Sequence, residues 1–280
     1  MATALNHNES QPGARPSIGW GVLHLFYHID YAQLGGLSNK TRSEVCTPFL
    51  QWCQTWNQNP EIQLHTYSVL GNKADLGIML LGPDLHLLNQ AETDLLKSAF
   101  GGLLKPAYSF VSLTELGEYM TSEEEFGTRM QEQEGLSPES EDFQSRMAAF
   151  SARMEKYRND KLYPLLPPWP NMCFYPMNKA RGEKHNWYNL PFADRKKYMG
   201  GHARIGQLFA GKILQLVTGS TGLDDWEWGV TLLAKDPVQL KEIVYQMRFD
   251  EVSALFGEFG PFYTCLRLEP AELLHRLVFD

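Results

Sequence analysis

The alternation of apolar and polar positions predicts a β-α-β-β-α-β order of elements in the first half of the chain. The dense apolar run GWGVLHLFYHID predicts a strand, and a helix is expected to begin at Ser38 or Asn39 and to kink at Pro48. EIQLHTYSVL and ADLGIMLLG predict two strands joined by a hairpin at Gly71 and Asn72. DLHLLNQAETDLLKSAF has helical spacing, and YSFVSLTEL predicts the closing strand.

The same order of elements recurs in the second half of the chain. Its segments are strand MCFYPM, helix PFADRKKYMGGHARIGQLFAG, strands ILQLVTG and WEWGVTLLA, helix DPVQLKEIVYQMRF and strand GPFYTCLRL. LGIMLLGPDLHLL aligns with WGVTLLAKDPVQL, each a strand containing Gly77 or Gly229 and followed by a helix that an aspartate leads. A supersecondary unit used twice predicts an α+β fold of two ferredoxin-like, split-βαβ halves, with antiparallel sheets laid together and helices outside.

The chain divides into four segments. They are a polar, flexible tail (1–17), a first ferredoxin-like half (18–120), an acidic insertion with a connecting helix (121–160) and a second half (161–280). Residues 121–142 hold eight acidic residues and one arginine, a composition typical of a solvated, mobile linker. Beyond them, a stripe of large apolar side chains predicts a helix that packs against a domain. The stripe is Phe143, Met147, Phe150, Met154 and Tyr157.

The composition argues against several classes of protein. The chain has 280 residues, 43% of them hydrophobic, and a net charge of −8, which argues against a general nucleic-acid binder because such proteins need a basic surface. Four cysteines without a CxxC pair indicate reduced thiols in a cytoplasmic protein. No apolar run approaches the roughly 20 residues of a membrane span, and the amino terminus lacks a signal-peptide pattern. The sequence therefore predicts a soluble cytoplasmic protein.

Local catalytic and metal-binding motifs are absent from the sequence. It contains no Walker A motif, HExxH, GxSxG or GxGxxG between a strand and a helix. The eight histidines are scattered, which argues against a clustered Cys and His metal site. His24 and His28 share a face of one predicted strand but stand about 13 Å apart along it, too far to chelate one ion.

A basic region stands out in this acidic chain. Residues 179–204 carry seven basic side chains against two acidic ones. The basic residues are Lys179, Arg181, Lys184, Arg195, Lys196, Lys197 and Arg204. Such a reversal of the local charge favours an anionic ligand, and a solvated helix face is the other interpretation.

His202 lies inside this basic region, on the apolar stripe of its predicted helix. Met199, His202, Ile205 and Phe209 are spaced by three, three and four residues. An imidazole in that place is either a core histidine whose nitrogens are hydrogen-bonded within the protein or an axial ligand of haem iron.

Two strands carry further candidate residues. In MCFYPMNK, Tyr175 and Met177 share one face, and Lys179 follows, with Trp187 and Tyr188 nearby. These oxidisable rings beside a cation suggest redox chemistry, although a buried aromatic cluster would have the same pattern. In ILQLVTG, the Gln215 amide lies among apolar neighbours and must pair with backbone or reach into a pocket, since leaving it unpaired costs about 1–3 kcal/mol.

Five segments between residues 160 and 265 resemble the coproheme decarboxylases, which are the hydrogen-peroxide-dependent haem synthases among the chlorite-dismutase-like haem proteins. They are LYPLLPPWPNMCFYPMNKAR, NWYNLPFADRKKYM, GGHARIGQLFAGK, QLVTGSTGLDDWEWGVTLLA and YQMRFDEVSALFGEFGPFY. GWGVLHLFYHID and YSFVSLTELGEYM in the first half resemble the same family less specifically. The resemblance implies a dimeric α+β barrel type of fold, a homopentamer and haem held in the carboxy-terminal half.

The resemblance also assigns roles to individual residues. It implies that Tyr175 becomes a radical, that Lys179 lies at the reacting propionates, and that His202 is the proximal ligand of iron. The remaining expected contacts to the porphyrin are Gln215 on the distal side, Ser253, Lys161, Tyr119 and the strand residues Pro176, Met177 and Asn178. Lys161 stands where the family commonly has a propionate-binding arginine, so this chain keeps the charge and loses the forked geometry.

The implied reaction converts iron coproporphyrin III (coproheme) to haem b. Peroxide would oxidise the iron, a Tyr175 radical would take a hydrogen from a propionate, and loss of carbon dioxide would leave a vinyl group, at rings A and B in turn. A transient contact with coproporphyrin ferrochelatase is a further expectation. A non-catalytic haem carrier or sensor, a chlorite dismutase and a peroxidase are the alternatives, since fold alone does not select an activity.

Overall fold

The computed structural model describes residues 13–279, so residues 1–12 of the expected flexible tail lie outside the described residues. The first half comprises β1 (Gly21–Ile29), α1 (Tyr31–Gly35), α2 (Asn39–Asn57), β2 (Gln63–Val69), β3 (Leu76–Gly82), α3 (Leu85–Lys97) and β4 (Leu104–Thr114). Then come α4 (Glu123–Glu134), α5 (Glu141–Leu162), β5 (Asn171–Lys179), α6 (Phe192–Gln207), β6 (Ile213–Gly219) and β7 (Trp228–Ala234). The chain ends with α7 (Pro237–Met247), α8 (Glu251–Phe256), β8 (Gly257–Phe259), β9 (Tyr263–Arg267) and α9 (Pro270–Leu274), followed by a π-helical turn at His275–Phe279.

Side-chain caps explain where the principal helices begin. The Ser38 hydroxyl accepts from the Thr41 amide at the start of α2, which runs through Pro48 to Asn57 without ending. Asp84 and Asp236 cap α3 and α7 in the same way, each accepting from the amide two residues on. The sequence predicts that β3–α3 and β7–α7 are equivalent segments of the repeat. Their helices also begin with equivalent aspartate caps.

Each half is a ferredoxin-like sheet, and the two sheets close into one barrel. The strand order is β4-β1-β3-β2 in the first half and β9-β5-β7-β6 in the second, and all pairs are antiparallel. Short pairings of β4 with β6 and of β2 with β9 join the halves edge to edge. The predicted α+β class with two ferredoxin-like halves is confirmed, and the sheets are joined at their edges.

The barrel interior is a hydrophobic core to which both halves contribute. Phe26 from β1 stacks on Tyr263 from β9 with ring centroids 4.2 Å apart, and Phe174 from β5 lies 5.4 Å from Phe110 of β4. A second core lies outside the barrel, where α2, α3 and α9 cover the first half. A third lies between α7 and the sheet of the second half. The third core adjoins the candidate site.

The acidic insertion is helical, which corrects its interpretation as a mobile linker. Ser122 and Glu125 form a reciprocal capping box at the start of α4, and Gly135 ends the helix with a φ of 69°. Phe126 of α4 stacks on Phe150 of α5 at 4.2 Å, so the two helices pack together. Capping and this contact outweigh the repulsion among exposed carboxylates. Within residues 13–279, no helix combines the length and the apolar character that crossing a membrane requires.

Candidate active site

A cavity of about 600 Å³ opens beside the second half of the barrel. Side chains from β5, β6, β7, α6, α7 and α8 line it, together with the segment that follows β4 and the end of α5. Its volume is within the range of about 300–1,000 Å³ that small-molecule sites occupy. The cavity brings together most of the residues expected from the sequence. They are Tyr119, Lys161, Tyr175, Met177, Lys179, His202, Gln215 and Ser253.

Two of the expected porphyrin contacts, Pro176 and Asn178, lie away from this cavity. The Asn178 side chain accepts from the Glu227 amide at 2.8 Å, and the Pro176 carbonyl accepts from the Gly260 amide at 2.9 Å. Side chains alternate between the two faces of a strand. Tyr175 and Lys179 lie on the face of β5 that lines the cavity, so Pro176 and Asn178 lie on the opposite face.

His202 is held from behind by a buried carboxylate. Its Nδ1 atom lies 2.8 Å from Oδ2 of Asp250, whose side chain is 5% exposed. The same oxygen accepts from the Ser253 hydroxyl at 3.2 Å. This arrangement engages Nδ1 and leaves Nε2 as the nitrogen available to a metal, as in metal-binding histidines whose second ring nitrogen donates to a carboxylate. Sequence reasoning missed Asp250, although its place before a short helix is a capping signal.

Lys179 is a buried cation that also lines the cavity. Its Nζ atom lies 4.8 Å from the centre of the Trp187 ring. Burial lowers the pKa of Lys179 to about 8, and the charges of Asp250 and Glu227 oppose that shift. Glu227, which sequence reasoning also missed, accepts from the Lys179 amide at 2.9 Å. The ammonium is therefore poised to lose its proton slightly above neutral pH unless an anion binds it.

Tyr175 presents a protonated phenol to the cavity. The residue is 6% exposed, and its ring stacks on Phe262 with centroids 4.3 Å apart. Burial raises the pKa of Tyr175, so the hydroxyl keeps its proton at neutral pH. Arg248 lies over Phe259 at 3.9 Å and lines the same cavity, which adds a cation from outside the predicted basic region.

Gln215 belongs to the strand at the other side of the cavity. Lys161, at the end of α5, donates from Nζ to the Gln215 carbonyl at 3.2 Å, and burial lowers the pKa of Lys161. Nearby, Glu115 accepts from the Trp228 indole at 2.9 Å, and burial raises the pKa of Glu115. The carboxylate also packs on Gly219, where an added Cβ would collide with it. Glu115 follows β4 without a local signal that would have singled it out.

Residues 42–268 of this chain match the protein-family model described as Chlorite dismutase. The chain belongs to the chlorite dismutase family. It is similar to a structure described as a novel heme-binding protein from Thermus thermophilus, with 37% identity, a TM-score of 0.78, and coverage of 94% of this chain and 96% of that one. It is also similar to a mutant chlorite dismutase from Candidatus Nitrospira defluvii, with 16% identity, a TM-score of 0.70 and coverage of 94% and 97%. This second likeness concerns the fold alone.

In this chlorite dismutase family chain, the acidic insertion neutralises part of the basic region. Arg195 donates to the Tyr119 hydroxyl at 3.1 Å and pairs with Glu118 at 3.4 Å, and Lys196 pairs with Glu125 of α4. Of the seven basic side chains counted in the sequence, Lys179 and Arg195 line the cavity. The Lys196–Glu125 ion pair therefore links the insertion to the helix that carries His202, whereas Arg195 contacts the segment that precedes the insertion.

The first-half histidines lie elsewhere in the fold. His24 is fully buried, stacks on Phe174 at 4.1 Å and hydrogen-bonds to Thr231 at 2.9 Å, and burial lowers its pKa to about 3. His28 lies 3.5 Å from Asp75. In the part of the chain that the structure describes, no group of three or more His, Cys, Asp or Glu side chains is arranged to hold a metal ion.

Proposed function

We propose that this chain is a hydrogen-peroxide-dependent coproheme decarboxylase, which converts iron coproporphyrin III to haem b. One observation carries the proposal: a single cavity is lined by His202, with its Nδ1 held by Asp250, and by Tyr175 and Lys179. A haem carrier needs the histidine alone. An oxidisable phenol and a cation that line the same cavity give it a reaction to perform on a carboxylate.

The donor set of the cavity fits an iron porphyrin that carries carboxylates. His202 offers Nε2 to iron, and four cationic side chains line the cavity. These are Lys161, Lys179, Arg195 and Arg248. Each charge-assisted hydrogen bond between such a cation and a propionate contributes roughly 1.5–3 kcal/mol, which favours the four carboxylates of coproheme.

The proposed role of Tyr175 is hydrogen abstraction. When bound, the iron porphyrin supplies the oxidising power of peroxide to the site. Tyr175 loses an electron and its phenolic proton, and the tyrosyl radical then takes a hydrogen atom from the propionate. The carboxyl group leaves as carbon dioxide, and the remaining electron and proton pass to the second oxidising equivalent that peroxide supplies. Each round thus converts one propionic acid group and one hydrogen peroxide into one vinyl group, one carbon dioxide and two waters.

The other cavity residues orient the substrate in this proposal. Lys179, Ser253, Tyr119 and Lys161 bind propionates, Met177 packs against the porphyrin, and Gln215 lies on the distal side. Lys161 offers a point charge in place of a guanidinium fork, so it constrains a carboxylate less in angle. A neutral Gln215 amide holds an oxyanion poorly, which favours the decarboxylase over a chlorite dismutase that relies on a distal arginine.

Assembly, partner and location are part of the same proposal. We propose a cytoplasmic homopentamer that receives coproheme through a transient contact with coproporphyrin ferrochelatase. Exposed apolar side chains on and after α7, such as Tyr245 and Phe249, support self-association.

The decisive experiment loads the purified protein with ferric coproporphyrin III and titrates it with hydrogen peroxide. Porphyrin products are followed by mass spectrometry. Stepwise loss of two carboxyl groups to give haem b is the expected result. Tight binding with unchanged or merely bleached porphyrin would favour the carrier. In a parallel assay with added chlorite, release of oxygen would favour a chlorite dismutase.

A further inference from the structure

The carboxylate of Asp250 joins two residues that the proposed function uses separately. Its Oδ2 atom lies 2.8 Å from His202 Nδ1, and it accepts from the Ser253 hydroxyl at 3.2 Å and the Ser253 amide at 3.4 Å. Because Asp250 is buried, solvent does little to dilute these bonds. The expected iron ligand and an expected propionate contact therefore share one oxygen atom.

The local fold enforces this sharing. Asp250 is the N-cap residue of α8 and Ser253 is its third helical residue, so capping brings the serine onto the aspartate. Helix α6 packs against α8, which brings His202 to the same oxygen.

Three donors, the His202 ring, the Ser253 hydroxyl and the Ser253 amide, share one carboxylate oxygen and compete for its charge. When the Ser253 hydroxyl turns to donate to a substrate carboxylate, Asp250 keeps one donor fewer and attracts the His202 proton more strongly. A carboxylate that binds the outer nitrogen of a metal-bound histidine raises the basicity of that ligand. His202 then donates more strongly to iron.

We propose that Asp250 couples occupancy of Ser253 by a substrate carboxylate to the strength of the His202–iron bond, an inference that rests on the proposed function. Asp250 is a positioning residue in this scheme, because it acts through His202. When the porphyrin lacks that carboxylate, either after reaction or from the start, the serine hydroxyl donates to Asp250 again. His202 then binds iron less strongly.

The test measures the iron–histidine stretching band by resonance Raman spectroscopy of the ferrous protein. The probes are iron coproporphyrin III, its monovinyl three-propionate derivative, haem b and iron etioporphyrin, which has no propionate. In the wild type the band should fall to lower wavenumber at one step of this series. In Ser253→Ala that step should be absent, and the conservative Ser253→Thr should restore it. Asp250→Asn should lower the band with every porphyrin.

A step of equal size in the wild type and Ser253→Ala, or no step in the wild type, would overturn the coupling. Peroxide-driven formation of haem b is assayed on the same protein variants loaded with ferric coproporphyrin III. Decarboxylation without the Raman difference rejects the coupling alone. The Raman difference without decarboxylation rejects the proposed reaction alone.

Discussion

The charge of Lys179 makes substrate binding sensitive to pH. Its pKa is lowered to about 8, so the ammonium is charged below that pH and neutral above it. Affinity for coproheme should therefore fall by up to about tenfold as pH rises from 7 to 9, because the charged fraction of a group with that pKa falls by about this factor. Quenching of tryptophan fluorescence by added coproheme measures this affinity, since Trp187 lines the cavity.

Lys179→Arg tests whether the charge of Lys179 causes this pH dependence of affinity. A guanidinium stays charged across this range, so the variant should lose most of the pH dependence. Lys235→Arg, on the surface over Trp169 and away from the cavity, should keep it. An affinity that falls equally in all three proteins would assign the titration to another group.

Tyr175→Phe should separate binding from reaction. The variant keeps the ring that stacks on Phe262 but has no phenolic hydrogen to lose. It should bind coproheme as the wild type does and release it unchanged after peroxide, as judged by porphyrin mass. Tyr245→Phe, at an exposed position outside the cavity, is the matched control. Turnover at the wild-type rate in Tyr175→Phe would refute the radical assignment.

At the scale of residues, the sequence predicted what a local period can encode. The apolar stripe through His202 and the strand face shared by Tyr175 and Met177 follow from periods of 3.6 and 2 residues. Asp250 is 48 positions beyond His202, and no local pattern relates two residues so distant. The carboxylate that holds the histidine could be found only from the tertiary packing of α6 on α8.

Two equivalent glycines test how the elements pack. An added Cβ at Gly229 of β7 would lie 2.5 Å from the Phe110 ring and 3.2 Å from the Phe174 ring, both fully buried. Gly229→Ala should lower the free energy of unfolding by about 1–3 kcal/mol through overpacking. At Gly77 of β3 the nearest atoms would lie 3.4 Å away. Gly77→Ala should stay within about 1 kcal/mol of the wild type, because alanine also relieves the entropy cost of glycine.

Urea unfolding of both variants measures this difference. The Gly77 variant is the matched control, since the sequence predicts the same place in the repeat for both glycines. Equal losses would mean that the Phe110 ring yields to the added methyl group.

At the scale of elements, the long periodic segments were predictable from the sequence. Composition gave the wrong prediction for the acidic insertion, where capping residues stabilise a helix. The strands and the principal helices match the sequence patterns to within a few residues. The acidic insertion was judged by its charge, although Ser122 with Glu125 three residues later, and Gly135 at the end, are helix signals. The short elements α1, α8 and β8 span three to six residues and leave no period to detect.

At the scale of the whole molecule, the repeat predicted two like halves but not their junction. The β4–β6 pairing involves two residue pairs and the β2–β9 pairing three. Pairings so short carry no hydrophobic pattern of their own. They nevertheless close the barrel and bring rings from both halves into one interior.

This shared interior predicts that the halves unfold together. Phe174 of the second half contacts Phe26 and Phe110 of the first, so its truncation removes contacts from both. Phe174→Leu should lower the free energy of unfolding by about 0.5–3 kcal/mol and accelerate hydrogen exchange in β1 and β5 peptides alike. Phe100→Leu, equally buried but in the outer core of the first half, should do the same if the barrel opens as one unit. Retained protection in β5 when β1 exchanges would show instead that each ferredoxin-like half is an independent folding unit.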